Sequence, residues 1–359
     1  MKIWFAASIP ENSSGGVNRS MIGLSSTLNS MGHKAKIIYS RNNENYLKFS
    51  FMLGIRLLLS LRNRPDWIIA RSTDGLICSL ICKSFRFKTR VALHSHGWEQ
   101  KVYKVEKRLP HSVINNPTTF RARLLRFPLL NLQLKLSTIC ICGTFEEARW
   151  LKIRNHDLRR KINVICNGIE PTDSAFWPEQ DNLPPSFMIT GAFTWKKNIE
   201  YGIECFRKVY NEIPDSRLFL IGTGQLLRKQ LELIAEFGDS VFVVERESPQ
   251  LMNRWYETCP FLFSTSRYEG GRAFTILEAQ NRGVTVFASS IPSTREIITD
   301  YQNGILLTGF DLLADTGKIL PVIRDEKLCK KIGMNAWRRA QRQRWERQGL
   351  RMEKLMLNK

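Results

Sequence analysis

Two glutamates bracket a short glycine-containing loop in the second half of the chain. Glu269 and Glu278 lie on either side of Gly270 and Gly271. A glycine pair lets the backbone approach a ligand closely and offers N–H groups that no side chain covers. A helix that begins after such a loop points the positive end of its dipole at it, which favours an anionic leaving group. The alternative is a solvated turn that leads into a helix, and the surrounding pattern decides between the two.

The elements around these residues form a strand–loop–helix–strand unit. The apolar run Phe261–Phe263 predicts a strand, and a polar loop from Ser264 to Arg272 follows it. Ala273 to Arg282 has the spacing of an amphipathic helix, and Val284–Ala288 is a second apolar strand. In α/β units, ligands bind in the loops beyond the carboxyl ends of the strands. The glutamate loop is therefore predicted to lie at a ligand-binding edge of a parallel sheet.

A similar unit precedes it. The strand Phe187–Thr190 leads into the loop Gly191–Asn198, which contains Lys197. The next strand, Arg217–Ile221, ends in Gly222-Thr223-Gly224, a small loop suited to a nucleotide.

The first half of the chain opens with the same alternation. Residues 3–8 predict a buried strand, which a loop ending in Gly15-Gly16 joins to a helix from Val17 to Met31. This order is typical of one half of a Rossmann-like sheet, although the GxGxxG fingerprint is absent. Further strands are predicted at Lys36–Tyr39, Pro65–Arg71, Thr89–His94, Thr138–Thr144 and Ile162–Gly168. His96 follows the strand that ends at His94, so it stands where a site is expected.

The positive charge is concentrated in the first half. The chain has 54 Lys and Arg against 33 Asp and Glu, and residues 1–180 hold 28 of the first against 12 of the second. Tyr46 to Arg64 and Phe120 to Lys135 are apolar with basic residues, which is typical of helices at an anionic membrane interface. The alternative is a core helix with a solvated basic face. Nucleic acid is not expected, because no helix-turn-helix, RNP or zinc-finger pattern is present.

Length and composition limit the remaining classes of protein and of binding site. A chain of 359 residues with 43% hydrophobic content has room for two α/β domains. No apolar run is long enough to span a bilayer, and the amino terminus predicts a buried strand and no signal peptide. The eight cysteines lie mostly in apolar runs without paired CxxC motifs, and the five histidines have no metal-ligand spacing. Free thiols in a reducing compartment are expected, and no metal site is predicted.

Several motifs in fixed order resemble the carboxy-terminal domain of the retaining, GT-B-fold "group 1" glycosyltransferases, which use nucleotide sugars. The matching residues are Ser266, Glu269-Gly270, Leu277-Glu278-Ala279, Gly283-Val284-Thr285-Val286, Arg295-Glu296-Ile297-Ile298 and Asn303-Gly304. The resemblance implies an α/β chain of the GT-B type, in which two Rossmann-like domains face a central cleft. Two departures stand out. The glutamates are separated by eight residues where the family has seven, and Ala192 occupies the position of an arginine that holds the pyrophosphate.

The resemblance also implies roles in donor binding. Lys197 neutralises the diphosphate, and Glu278 accepts hydrogen bonds from the ribose hydroxyls. Glu269, with the amides of Gly270 and Gly271, holds the sugar. The loop of Gly222 and Gly224 is assigned to the donor as well. Lys196 or Arg272 is the candidate to replace the missing arginine, and Arg272 is preferred because it lies in the lengthened glutamate loop.

In the first half, His96 resembles the family's cleft histidine, which contacts donor sugar or acceptor, and His94 competes for that role. We therefore predict Glu269 and His96 as the catalytic residues. The loop of Gly15 and Gly16 resembles the one that faces the cleft in the family. The chemistry implied is charge stabilisation of the leaving diphosphate and orientation of the acceptor hydroxyl, with neither a metal nor another cofactor required.

The predicted organisation follows from these assignments. Residues 1–170 form a basic, acceptor-side domain, and the Pro-rich, acidic residues 171–185 form a linker. Residues 186–335 form the nucleotide-sugar domain. Residues 336–359 belong to a long basic helix, predicted from Asn335 to Leu357, that crosses back to the first domain.

The predicted function is a retaining hexosyltransferase that moves sugar from a UDP- or GDP-sugar to a glycan or lipid-linked acceptor. The expected setting is polysaccharide or lipopolysaccharide synthesis, in the cytoplasm, at the inner face of the cell membrane. Two alternatives remain, a GT-B-fold nucleotide-sugar epimerase and a non-catalytic paralogue with a degenerate donor site.

Overall fold

The computed structural model of the chain consists of two compact units. The structure describes residues 1–13, 15–41, 45–110, 113–114, 117–120, 122–175, 184–224, 228–245 and 247–359. Unit 1 comprises Met1–Glu106, Asn116–Gly168 and Trp345–Lys359, and unit 2 comprises Lys107–Asn115 and Ile169–Arg344. The chain thus passes from unit 1 to unit 2 after Gly168, near the predicted end of the first domain. Residues 176–183 of the predicted linker lie outside the described residues.

Each unit is built on a six-stranded parallel sheet. The strands of unit 1 are β1 (Lys2–Ala7), β2 (Lys34–Tyr39), β3 (Trp67–Arg71), β4 (Arg90–His94), β5 (Ile139–Cys142) and β6 (Ile162–Val164). Those of unit 2 are β7 (Ser186–Ala192), β8 (Arg217–Thr223), β9 (Val241–Val244), β10 (Phe261–Ser264), β11 (Thr285–Ser289) and β12 (Ile305–Leu307). The inner strands are almost wholly buried, as in parallel sheets covered by helices on both faces.

Helices connect the strands. In chain order they are α1 (Gly16–Ser30), α2 (Tyr46–Leu59), α3 (Leu76–Ser84), α4 (Glu99–Glu106), α5 (Phe127–Leu136), α6 (Phe145–Arg154), α7 (Ile199–Glu212), α8 (Arg228–Ala235), α9 (Pro249–Thr258), α10 (Phe274–Asn281), α11 (Pro292–Arg295), α12 (Leu312–Arg324), α13 (Glu326–Ala340) and α14 (Trp345–Leu357). No helix among the described residues is long and apolar enough to cross a bilayer.

The strand order creates one switch point in each sheet. In unit 1 the order is β2-β1-β3-β4-β5-β6, so the chain leaves β1 to one side and β3 to the other. In unit 2 the order is β12-β11-β10-β7-β8-β9, so the chain leaves β7 and β10 in opposite directions. Loops that diverge in this way open a crevice at the carboxyl ends of the strands, which is where open α/β sheets bind ligands.

The final helical segment differs from its prediction. The single helix expected from Asn335 to Leu357 is wrong, because α13 ends at Ala340 and α14 begins at Trp345. The backbone between them pairs with the start of unit 2: the Ile169 N–H donates to the Gln343 carbonyl at 2.8 Å. Gln341 and Arg342 form a turn, and Arg344 makes an isolated β-bridge with Ile169, which helical periodicity does not reveal.

Helix α14 belongs to unit 1 and packs on α1. Trp345 is buried so closely against Gly23 and Gly168 that a Cβ on either glycine would overlap its indole ring or its backbone. His33 contacts Glu353 at 2.8 Å, at the far end of the same interface. The carboxy-terminal helix is therefore part of the unit built around the first strand.

Three local features escaped the sequence reasoning. The edge strands β9 and β12 were not predicted, because they have only four and three residues and β9 is partly exposed. The stretch Phe120 to Lys135 is not one regular helix, because a π-helical turn over Ala122–Arg126 precedes α5. Pro128 lies in the first turn of α5, where its missing N–H is tolerated.

Candidate active site

The predicted donor-site loops of unit 2 lie on adjacent strands. β7 pairs with β10 on one side and with β8 on the other, so the loops after all three strands meet at one edge. These loops carry Lys197, Glu269 and the Gly222–Gly224 turn. The first two flank the switch point, because they follow β7 and β10. The sheet order, which the sequence did not specify, thus places the predicted donor residues together.

Lys197 and Glu269 form an ion pair at this switch point. The Lys197 Nζ lies 2.6 Å from Glu269 Oε1, and the Ser266 hydroxyl donates to the same oxygen at 2.7 Å. The side chains of the pair are 23% and 14% exposed. A half-buried ammonium beside a carboxylate is suited to an anionic group and a neighbouring hydroxyl, because one group neutralises charge and the other accepts hydrogen bonds.

The local backbone fixes the position of Lys197. Its N–H donates to the Thr194 carbonyl at 2.9 Å, and the next residue, Asn198, adopts a left-handed conformation just before α7. The Thr265 hydroxyl, at the end of β10, donates to the Asn198 carbonyl at 2.9 Å. The loop after β7 is therefore tied to the loop after β10 by contacts independent of the ion pair.

Arg267 places its guanidinium against the loop that carries Lys197. Its backbone N–H donates to the Lys196 carbonyl at 2.7 Å, and its Nη1 donates to the Trp195 carbonyl at 2.9 Å. Partial burial lowers the pKa of Arg267, with Glu200 opposing the shift, but an arginine remains charged at neutral pH. Sequence reasoning missed this residue, and its position in the loop directly after β10 was the available signal.

Arg272, the preferred replacement for the missing arginine, has other partners. Its Nε lies 3.6 Å from Glu296 Oε2, its Nη1 donates to the Gln343 side chain, and the residue is 7% exposed. The structure therefore gives Arg272 a buried ion pair within unit 2. A contact with the donor stays a prediction for this residue.

Glu278 projects from α10, whose other face is packed into the core of unit 2. The Tyr256 hydroxyl donates to Glu278 Oε2 at 3.2 Å, and Ile276, Leu277 and Ala279 are buried. The N-cap residue of α10, Ala273, makes no side-chain hydrogen bond to the helix, which begins directly after the glutamate loop. A carboxylate fixed on a rigid helix suits a pair of neighbouring hydroxyls. Gly270 and Gly271, just before α10, are both half-buried.

Gly222 and Gly224 have a clear structural reason to be glycines. A Cβ on Gly222 would lie 1.9 Å from the Gly191 carbonyl oxygen, because β7 and β8 pair at these two residues. Gly224 has φ +117°, a conformation that side chains disfavour. Their role in binding a donor stays a prediction.

Unit 1 brings two histidines together at the end of β4. The rings of His94 and His96 lie 4.1 Å apart, and burial lowers the pKa of His94 to about 4. Burial, followed by His94 and Arg71, holds the pKa of His96 well below its usual range. Both imidazoles are therefore neutral at pH 7. His96 is half-buried, and its buried Nε2 has no hydrogen-bond partner within the described part of the chain.

Asp74 is a buried carboxyl that the sequence analysis did not identify. It follows β3 at the switch point of unit 1, and the Ser8 N–H, directly after β1, donates to its Oδ2 at 2.8 Å. Burial raises the pKa of Asp74 to about 6, against the opposing effect of Arg71. Its place after a predicted strand was the available signal. Gly15 and Gly16, in the loop after β1, are exposed at the start of α1.

Residues 174–339 match the family model of the glycosyl transferases group 1. An uncharacterized glycosyltransferase of Methanocaldococcus jannaschii is 26% identical over 194 residues, covering 54% of this chain and 52% of that protein. A poly(glycerol-phosphate) alpha-glucosyltransferase of Bacillus subtilis is 23% identical over 153 residues, 41% of this chain and 22% of that protein. The matches thus span about half of the first relative and less than a quarter of the second.

Solved structures extend the likeness to the whole chain. Sucrose-phosphate synthase from Thermosynechococcus elongatus superposes with a TM-score of 0.74 at 16% identity, covering 100% of this chain and 99% of that chain. Anabaena HepE in complex with UDP-glucose gives 0.74 at 14% identity, with complete coverage of both chains. At these low sequence identities, the structural similarity establishes the fold of the chain.

Proposed function

Unit 2 of this chain belongs to the group 1 glycosyltransferases and the whole chain has the GT-B fold, and from this premise we propose a retaining sugar transfer. The donor in this proposal is a UDP- or GDP-sugar, and the acceptor is a hydroxyl of a glycan or glycolipid. The observation that carries the proposal is the Lys197–Glu269 pair at the switch point of unit 2.

Each donor-site group has a role that its contacts support. The ammonium of Lys197 neutralises the diphosphate as the bond to the sugar breaks, when negative charge develops on the leaving oxygen. Glu269 has one oxygen occupied by Lys197 and Ser266, and we assign its second oxygen to a sugar hydroxyl. Glu278 accepts from the ribose, with Tyr256 fixing its orientation.

Two groups of unit 1 are assigned to the acceptor side. The neutral His96 can accept a hydrogen bond from a hydroxyl through its buried Nε2. Asp74 lies at the switch point of unit 1, and burial raises its pKa to about 6, so it can hold a proton or accept one near neutral pH. Orientation of the acceptor hydroxyl by such groups lowers the entropic part of the barrier.

We further propose that the acceptor is met at an anionic membrane surface on the cytoplasmic side. Large apolar side chains are exposed on α2 and on the segment before α5, including Phe51, Leu59, Phe120 and Leu124, and Leu59 is 75% exposed. Arg56 and Arg126 lie on the same elements. Apolar side chains mixed with cations favour an interfacial location. A lipid-linked acceptor in polysaccharide or lipopolysaccharide synthesis fits this setting.

Thermal unfolding with UDP, GDP and ADP tests the donor site, with pyrophosphate as the charge control. A ligand at 100 times its Kd adds about 2.7 kcal/mol to the free energy of unfolding. One nucleotide that exceeds pyrophosphate supports the proposal, and turnover of its sugar conjugate with an acceptor completes it. If no nucleotide binds, the cation lost at Ala192 favours a non-catalytic paralogue. Conversion of the donor to another sugar without an acceptor would favour an epimerase.

A further inference from the structure

Unit 1 contains a basic groove that the proposed transfer does not use. It has a volume of about 830 Å³ and lies between α6, β6 and α14. Five cationic side chains line it: Arg149, Lys152, Arg159, Arg351 and Lys354. The groove thus joins an internal helix of unit 1 to its carboxy-terminal helix.

No acidic side chain among the lining residues neutralises the cations of the groove. None of its lining residues is an aspartate or a glutamate. Two nearby carboxylates pair with residues outside the groove: Glu146 contacts Lys101, and Glu353 contacts His33. Converging like charges repel each other and raise the local positive potential, so an anion bound here gains energy from all of them.

Apolar side chains form the rest of the groove. Phe145 and Ile153, on α6, are 55% and 53% exposed and stand beside the cations. The half-buried Leu355, on α14, contributes further apolar surface. A small inorganic anion gains nothing from contact with these apolar side chains. An amphiphilic anion would cover them and remove their apolar area from water, which favours binding.

The groove borders the helical layer that carries the exposed apolar side chains. Ala148 and Leu151 of α6 belong to the same buried apolar cluster as Leu130 and Leu134 of α5. α5 in turn contacts α3, and α3 contacts α2. Contacts between α2, α3 and α5, and the apolar cluster that α5 shares with α6, thus connect the helix of the exposed Leu59 to the groove.

We propose that this groove binds the phosphate headgroup of an anionic phospholipid. The cations contact the phosphate, and Phe145 and Ile153 contact the glycerol and the first carbons of the acyl chains. The assignment rests on the membrane location that forms part of the proposed function. It does not depend on the sugar transfer, because no residue of the groove belongs to the donor or acceptor groups.

The test compares two triple variants of the full chain. The groove variant is Arg149→Ala, Arg351→Ala, Lys354→Ala, and the control removes the same charge from α13 of unit 2: Lys327→Ala, Lys330→Ala, Lys331→Ala. All six side chains are exposed, so both variants should keep their thermal midpoints. Binding to phosphatidylcholine vesicles with and without phosphatidylglycerol is measured at fixed salt. The groove variant should bind the anionic vesicles roughly a hundredfold more weakly, because each of the three cations removed contributes about fivefold near the surface. The control should stay close to wild type.

Soluble ligands separate the lipid from other sources of phosphate. A short-chain phosphatidylglycerol below its micelle concentration should bind the wild type saturably and the groove variant weakly, while glycerol phosphate binds neither well. Equal losses in the groove and control variants would overturn the proposal, since a general field would then explain the binding. Tight competition by a soluble phosphodiester polymer would also overturn it. If no nucleotide binds, the proposed transferase function is refuted, but the vesicle and lipid measurements still decide whether the groove binds an anionic phospholipid.

Discussion

Replacing Lys197 by methionine tests the centre of the proposed donor site. Methionine keeps an unbranched chain one atom shorter and loses the charge, so the contact with Glu269 Oε1 at 2.6 Å disappears. Because both partners remain partly exposed, the free energy of unfolding should fall by only about 1 kcal/mol. A charge-assisted hydrogen bond to a diphosphate contributes about 1.5–3 kcal/mol, so the nucleotide should bind roughly ten- to a hundredfold more weakly. If Lys197 also stabilises the leaving group, kcat should fall about 100- to 1000-fold.

The matched control is the neighbouring lysine. Lys196 lies in the same loop, with its Nζ 5.7 Å from the centre of the Trp195 ring, and Lys196→Met should leave kcat within about threefold. The assay is steady-state turnover of the nucleotide sugar, combined with thermal shifts by the free nucleotide. A Lys197→Met protein that keeps its nucleotide affinity and its kcat would refute the assignment.

A double variant separates direct from indirect action. Ser266 would still donate to Glu269 in the Lys197→Met protein, so the carboxylate keeps one partner. If Lys197 acts only by orienting Glu269, then Lys197→Met in the Glu269→Gln background should cost nothing further. A direct contact with the diphosphate predicts instead that the two losses add.

Three further predictions concern other groups. Burial raises the pKa of Asp74 to about 6, so the free energy of unfolding falls by about 3 kcal/mol as the pH rises from about 4 to 6. Asp74→Asn should remove this loss, and urea unfolding measured at a series of pH values tests it. His96→Gln should lower kcat while leaving the acid limb of the pH–rate profile unmoved, since the depressed pKa keeps His96 neutral at working pH; loss of that limb would contradict this view. Gly222→Ala should cost more than about 3 kcal/mol by collision with Gly191, whereas Gly317→Ala, in open space on α12, should be neutral or stabilising by up to about 1 kcal/mol in the same unfolding assay.

Periodicity predicted Rossmann-like α/β units, the family resemblance implied the GT-B fold, and the solved structures confirm that fold class. The resemblance implied that Lys197 and Glu269 both bind the donor, and the structure joins their side chains directly. The contacts of Arg272 could not be foreseen, because its partners Glu296 and Gln343 lie 24 and 71 residues away in sequence. Local pattern carries no information about such pairings.

Asp74 shows a different limit. A carboxyl after a strand is common, and its special character comes from burial beside Ser8, which depends on the neighbouring order of β1 and β3. The break between α13 and α14 has a similar origin. Nothing in the residues of that segment opposes a helix strongly, and the pairing with Ile169 ends it.

The packing of α14 on α1 has a consequence for biosynthesis. Trp345 fills the space left by Gly23, so the surface of α1 is completed by residues made after the whole of Ile169–Arg344. During translation, the first strands and helices of unit 1 emerge with this apolar surface exposed, while unit 2 has all the residues of its sheet before α14 is synthesised. The first unit to begin synthesis is thus the last to close, and the nascent chain depends on its own carboxy-terminal helix to bury that surface.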